Sequence, residues 1–100
     1  MYNTKIISKP NEYSYLLVPD LLPNLSVFSP ITLQANPGAS GTAAVHVTCS
    51  TIEDVLANTA VWVLWPKGVV SAAAMDTLTS PVTAVKLVAT VANASLSMVI

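Results

Sequence analysis

The sequence predicts a small all-β domain: an antiparallel β-sandwich or barrel of jelly-roll type, with an extended N-terminal arm and at most one short helix. Val, Ile and Thr together account for 29 of the 100 residues, and these residue types favour strands. Residues that break regular structure recur at short intervals, and they leave runs of strand length between them. One such run, Thr42 to Ser50, alternates its side chains with the period of a half-buried strand.

The composition indicates a single domain that associates with other protein surfaces. Only nine residues are charged, where an average chain of this length would carry about 25. Apolar residues reach 53% and the net charge is −1. A surface so poor in charge resists association weakly. One interpretation is a monomer whose surface is covered by Ser and Thr. The other, which we favour, is that part of the surface contacts copies of itself, as a homotrimer or a dimer, or another protein.

The charge pattern argues against nucleic acid as a partner. The chain has no Arg and only four Lys, which leaves no basic patch for phosphates. No apolar run approaches the ~18 residues of a membrane span. The stretch "YSYLLVPDLLPNL" is broken by Pro19, Asp20 and Pro23, so it does not predict a secretory signal.

Residues 1–24 are expected to form an extended arm with at most one edge strand, and residues 25–100 the β domain. The first segment holds all three Tyr and three of the seven Pro, and it alternates cleanly only in "YSYLLV". Tyr13 and Tyr15 would share one face of a strand and could anchor a partner. The apolar or amphipathic residues of the arm are the predicted partner-binding set: Tyr2, Ile6, Ile7, Tyr13 and Tyr15.

The middle of the chain predicts a hairpin followed by a helical turn. The turn "NPGASG", in which Gly38 and Gly41 allow positive φ, would join "SVFSPITLQA" to the strand Thr42 to Ser50 as a hairpin. Pro30 lacks a ladder donor and should mark an edge, a bulge or a break. "STIEDVLAN" then predicts about two helical turns, with Ser50 and Glu53 at capping-box spacing.

Two further stretches predict strands in the second half. "TAVWVLW", Thr59 to Trp65, is apolar on both faces, which suits a central strand that is covered twice. "PVTAVKLVATV" and "SLSMVI" predict a terminal hairpin with a turn near Asn93. The last strand should be built into a sheet, because a frayed end would leave Leu96, Met98 and Ile100 in water.

No catalytic or cofactor site is predicted. His46 and Cys49 differ in parity, so a strand would send them to opposite faces and they could not share a metal ion. No "GxSxG" elbow or Gly-rich phosphate loop is present, and the adjacent Glu53 and Asp54 read as capping charges. Trp62 and Trp65 also differ in parity, which favours one in the core and one at an interface over a flat sugar platform.

The second half of the chain resembles small structural proteins of tailed bacteriophages. The similarity lies in "AVWVLWPKGVV" followed by "LTSPVTAVKLVATVANASLSMVI", about forty residues at the C-terminal end. It implies a non-enzymatic virion component made in the host cytoplasm. Among such components it favours a capsid decoration, or cement, protein on the capsid exterior that clamps neighbouring major capsid subunits.

Other functions stay open at this point. A small tail or fibre-associated subunit fits the same composition. A ligand- or carbohydrate-binding β module would need an exposed aromatic cluster, and a pilin- or adhesin-like subunit would need an export signal.

Overall fold

The computed structural model describes residues 3–18, 30–78 and 82–99. This part of the chain forms eight strands and one short helix. The strands are β1 (Asn3–Ser8), β2 (Tyr13–Leu17), β3 (Ile31–Asn36), β4 (Thr42–Thr48), β5 (Val63–Val70), β6 (Ala74–Leu78), β7 (Ala84–Thr90) and β8 (Ala94–Val99), and the helix α1 (Ile52–Leu56) lies between β4 and β5.

The strands build two four-stranded antiparallel sheets. Sheet I has the order β1-β8-β3-β6, and sheet II has the order β2-β7-β4-β5. The pairs β1–β8, β2–β7, β3–β6 and β4–β5 are therefore nested within one another along the chain. Eight strands in two sheets with this nested pairing form a jelly roll. The predicted all-β antiparallel sandwich with one short helix is confirmed.

The structure corrects both predicted hairpins. β3 and β7 each lie in a different sheet from the strand that follows, so their turns cross the sandwich. The two crossings touch: an added Cβ at Gly38 would lie 2.4 Å from the carbonyl oxygen of Asn93, and one at Gly41 would lie 2.6 Å from that of Thr90. These two glycines are needed because the backbones approach closely. The residue of this turn with a left-handed conformation is Ser40, with φ 62°.

The predicted arm is also corrected, because its described residues form two edge strands. β1 pairs with β8 from Asn3 to Ser8, and β2 pairs with β7 over its whole length. The buried Ser8 Oγ donates to the carbonyl oxygen of Leu87, 2.9 Å away, which ties β1 to the opposite sheet. In the nested pairing β7 and β8 each take a strand from the start of the chain as a partner: β2 pairs with β7, and β1 pairs with β8. The boundary between residues 24 and 25 lies outside the described residues.

The core lies between the inner faces of the two sheets. Alternate residues of the central strands fill it, and Leu33, Leu87, Leu96 and Met98 are fully buried. β8 lies between β1 and β3, so the expectation that the last strand is built into a sheet is confirmed. Ile100 lies outside the described residues.

The helix begins one residue later than its sequence pattern predicts. Thr51 is the N-cap, and its side chain accepts a hydrogen bond from the Asp54 N–H at 3.2 Å. Ser50 instead accepts from the Val61 N–H at 3.0 Å, which fastens the return of the chain towards β5. Only Val55 of the helix is buried.

β5 is an edge strand of sheet II, which corrects the predicted central strand. It begins at Val63 and runs through the predicted Pro66-Lys67-Gly68 turn. Between Leu64 and Val69 its pairing with β4 is interrupted by a bulge. Inside the bulge the buried Trp65 donates its indole N–H to the carbonyl oxygen of Gly68 at 2.7 Å.

Candidate interaction surfaces

The outer faces of the two sheets differ in chemistry. The outward positions of sheet I carry mostly uncharged polar side chains, and several of these bond to one another, as Gln34 does to Asn36 at 3.0 Å. The outward positions of sheet II are mostly apolar or aromatic. They are Tyr13, Tyr15 and Leu17 on β2, Ala84, Lys86 and Val88 on β7, Ala44, His46 and Thr48 on β4, and Leu64 and Val69 on β5.

One surface of interest is the start of β5 together with the residues that enter it. We call Val61, Val63, Leu64 and Val69 the apolar edge. Val61 is 72% exposed, Val63 60% and Val69 63%. Val63 pairs with Val47, and both belong to the inward-facing set of sheet II, whereas Leu64 and Val69 lie on its outer face. Apolar side chains are therefore exposed on both sides of one edge strand.

A cavity of about 510 Å³ lies beside the apolar edge. Its lining is mainly apolar and joins the end of β4 to the residues before and within β5. The lining residues are Val47, Thr48, Cys49, Ser50, Val61 and Val63. Buried Thr48 donates its hydroxyl to the carbonyl oxygen of Val61 at 2.7 Å, so this wall of the cavity is held by a buried hydrogen bond.

The second surface is an aromatic groove of about 190 Å³ on the outer face of sheet II. Tyr13 and Tyr15 form one side of it. The segment after β4 folds back over the sheet and brings α1 and Trp62 to the other side. The groove is lined by Tyr13, Tyr15, Val55, Leu56, Asn58 and Trp62.

Among the paired outward residues of sheet II given above, Lys86 is the one that carries a charge. It lies opposite Tyr15 on one neighbouring strand and opposite His46 on the other. Its ammonium lies 4.5 Å from the ring centre of Trp62 and 5.3 Å from that of Tyr13, so two aromatic faces attract it. Burial lowers the pKa of this ammonium. Across the described part of the chain, Lys86 makes no ion pair with a carboxylate.

His46 has an unsatisfied atom next to this cation. Its Nδ1 is buried and has no hydrogen-bond partner. Burial, and after it the positive charge of Lys86, lowers the pKa of His46. The imidazole is therefore neutral at pH 7, and Lys86 is the cation among the paired outward residues of this face.

The rim of the aromatic groove is polar and its hydrogen-bonding groups are available. Within residues 3–18, 30–78 and 82–99, the side chains of Tyr13, Tyr15, Asn58 and Trp62 make no hydrogen bond to another protein group. Asn58 follows the C-cap Ala57 and has φ 62°, a left-handed conformation that Asn tolerates well at a helix end. The groove therefore combines flat aromatic faces with unpaired donors and acceptors.

The predicted partner-binding residues are divided between the two sheets. Tyr13 and Tyr15 share a face as predicted, and they lie in the aromatic groove. Ile7 is exposed on sheet I, and Ile6 packs partly against the core. Tyr2 lies outside the described residues. Trp62 lies beside the two tyrosines in the groove, and the sequence does not predict this neighbour because its return over the sheet depends on the helical segment.

Neither of the other chemical candidates from the sequence comes together as a site. His46 lies on the outer face of sheet II, whereas Cys49 follows the end of β4 and lines the separate cavity. In the described ranges no three His, Cys, Asp or Glu side chains are grouped so that they could hold a metal ion. Among the same residues no helix has the length and apolar character to cross a membrane.

The fold defines the chain as an eight-stranded jelly roll, an architecture that occurs in viral capsid proteins, lectins and cupins alike. Comparison of the chain with family models, curated proteins and solved structures finds no match.

Proposed function

We propose that the protein is a non-enzymatic virion component that decorates the exterior of a capsid and stabilises the lattice of the major capsid protein. The observation that carries the proposal is the apolar edge. Its segment is apolar on both faces, as suits a strand covered twice, yet the fold leaves it at the margin of sheet II. The cover is therefore expected from outside the chain. The resemblance of residues 60–70 and 78–100 to phage structural proteins supports a capsid as its source.

The geometry favours side-chain docking at this edge. Long, flat edge strands recruit further strands, but a bulge interrupts the ladder of β5, and Pro66 has no N–H to donate. The cavity beside Val61 and Val63 would instead receive apolar side chains of the partner. Burial of one such side chain contributes about 1.5–3 kcal/mol.

The size of the apolar edge fits a protein that acts in many copies. The edge consists of four residues, whereas a standard stable interface has about 20–30 residues on each side. A trimer or dimer of the protein would engage several lattice points at once, and simultaneous engagement multiplies weak contacts.

The test is a binding titration onto capsids that lack the protein. Val61→Glu places a charge on the apolar edge, and Met75→Glu is the matched control on the outer face of sheet I, where Met75 is 57% exposed. We expect wild type and the Met75 variant to bind and to raise the temperature of genome release, and the Val61 variant to lose both effects. Equal binding by the two variants would exclude the apolar edge. Binding of the wild type to isolated tails or fibres but not to heads would replace decoration by the tail alternative.

A further inference from the structure

We propose that the aromatic groove on sheet II binds a single saccharide ring that carries a carboxylate. The site lies on the outer face of the sheet, whereas Val61 and Val63 line the separate cavity on the other side of the strand. The inference does not depend on a capsid partner, and its test uses the purified chain.

The size and the lining of the groove define a small ring as the ligand. Its volume of about 190 Å³ is below the roughly 300–1,000 Å³ of sites for drug-sized molecules. The ammonium of Lys86 lies over one face of the Tyr13 ring and one face of the Trp62 ring. The C–H face of a pyranose would therefore stack on Tyr15, or on the opposite face of Tyr13 or Trp62.

The polar groups of the rim separate a sugar from a purely apolar ligand. The two Tyr hydroxyls, the Asn58 amide and the Trp62 N–H make no hydrogen bond within the described part of the protein. An apolar ligand would cover these groups without pairing them, which weakens binding for each group that it buries. Sugar hydroxyls both donate and accept, so they can satisfy all four.

The charge of Lys86 defines the acidic group. Lys86 is not part of the lining, but its ammonium lies 4.5 Å from the ring centre of Trp62 and 5.3 Å from that of Tyr13, two rings that do line the groove. Among the described residues no carboxylate pairs with this ammonium. A ligand carboxylate that reaches it gains a charge-assisted hydrogen bond. With His46 neutral, the face holds one positive charge and suits one carboxylate.

The test is a ligand titration of the full chain by NMR and by tryptophan fluorescence. Both tryptophans emit, but a change of the emission on ligand addition reports mainly on Trp62, because Trp65 is buried in the core. The probes are methyl β-glucuronide, methyl β-glucoside and acetate. A single ring with one charged contact offers few groups for binding, so we expect a dissociation constant on the order of millimolar for the glucuronide. The glucoside should bind about tenfold more weakly, and acetate alone should not bind measurably.

Variants assign the parts of the groove. Lys86→Met keeps the length of the side chain and should weaken glucuronide binding about tenfold, to the level of the glucoside. Trp62→Ala should weaken both sugars by roughly two- to tenfold. Ile7→Ala on sheet I is the matched control and should bind like the wild type, and a melting curve checks that each variant is folded.

Three results would overturn the proposal. Equal affinity of the wild type for glucoside and glucuronide would exclude recognition of the carboxylate. Acetate binding as tightly as the glucuronide would exclude recognition of the sugar ring. No binding of either sugar by the folded wild type at tens of millimolar would remove the site.

Discussion

Replacement of Leu96 by Ala tests the register of the closing strand and with it the jelly roll. Leu96 is 0% exposed, and β8 pairs on both sides, with β1 and with β3. Its cross-strand partners are Ile6 on β1 and Ala35 on β3, and Ala35 is too short to fill the space that the removed side chain would leave on its side. Buried Leu→Ala substitutions cost about 2–5 kcal/mol, and a central position with a short neighbour should fall near about 3 kcal/mol.

Such a loss is large against a total stability of about 5–15 kcal/mol. For a domain of this size it corresponds to a melting temperature lower by about 12–24 °C. The assay is urea unfolding followed by circular dichroism, with the slope of the transition compared between variants. An unchanged slope with a lower midpoint assigns the effect to the folded state.

The matched control is Ser97→Ala on the same strand. Ser97 lies on the outer face of sheet I, opposite Lys5 and Gln34, and its replacement should change stability by less than about 0.5 kcal/mol. A shift of the strand by one residue would exchange the two faces. A loss below about 1 kcal/mol for Leu96→Ala, or an equal loss for Ser97→Ala, would refute the register and the buried central strand.

Two further predictions concern the turns and the imidazole. Gly38→Ala should lower the melting temperature more than Gly68→Ala. A Cβ added at Gly38 would lie 2.4 Å from backbone, whereas one added at Gly68 has no atom within 4 Å and only strains a φ of 68°. Equal losses of melting temperature in a thermal scan would contradict the close contact between the two crossing turns. Because burial lowers the folded-state pKa of His46, the unfolded chain takes up its proton first as the pH falls below about 6.5, so stability should decrease there. His46→Gln should reduce the difference in melting temperature between pH 7.5 and pH 5.5, and an unchanged difference would exclude His46 as its source.

The residues that could be predicted for the candidate surfaces are those governed by strand parity. Alternation placed Tyr13 and Tyr15 on one face, and the structure confirms it. Parity also separated Trp62 from Trp65, which lies in the core. The meeting of Trp62 with the two tyrosines could not be predicted, because it depends on a segment of the chain folding back across two strands.

The sequence by itself determined the all-β class, the inward residues of β7 and β8, and the single short helix. Each of these follows from local patterns: side-chain period, β-branched content and breaker spacing. Only the tertiary structure decided which strands pair. A turn such as residues 36–41 has the same local chemistry whether it closes a hairpin or crosses a sandwich, and the choice depends on nested pairing between distant strands. For the same reason the residues expected to form an arm instead form two edge strands. The apolar segment whose pattern is typical of a central strand likewise lies at the exposed edge of sheet II.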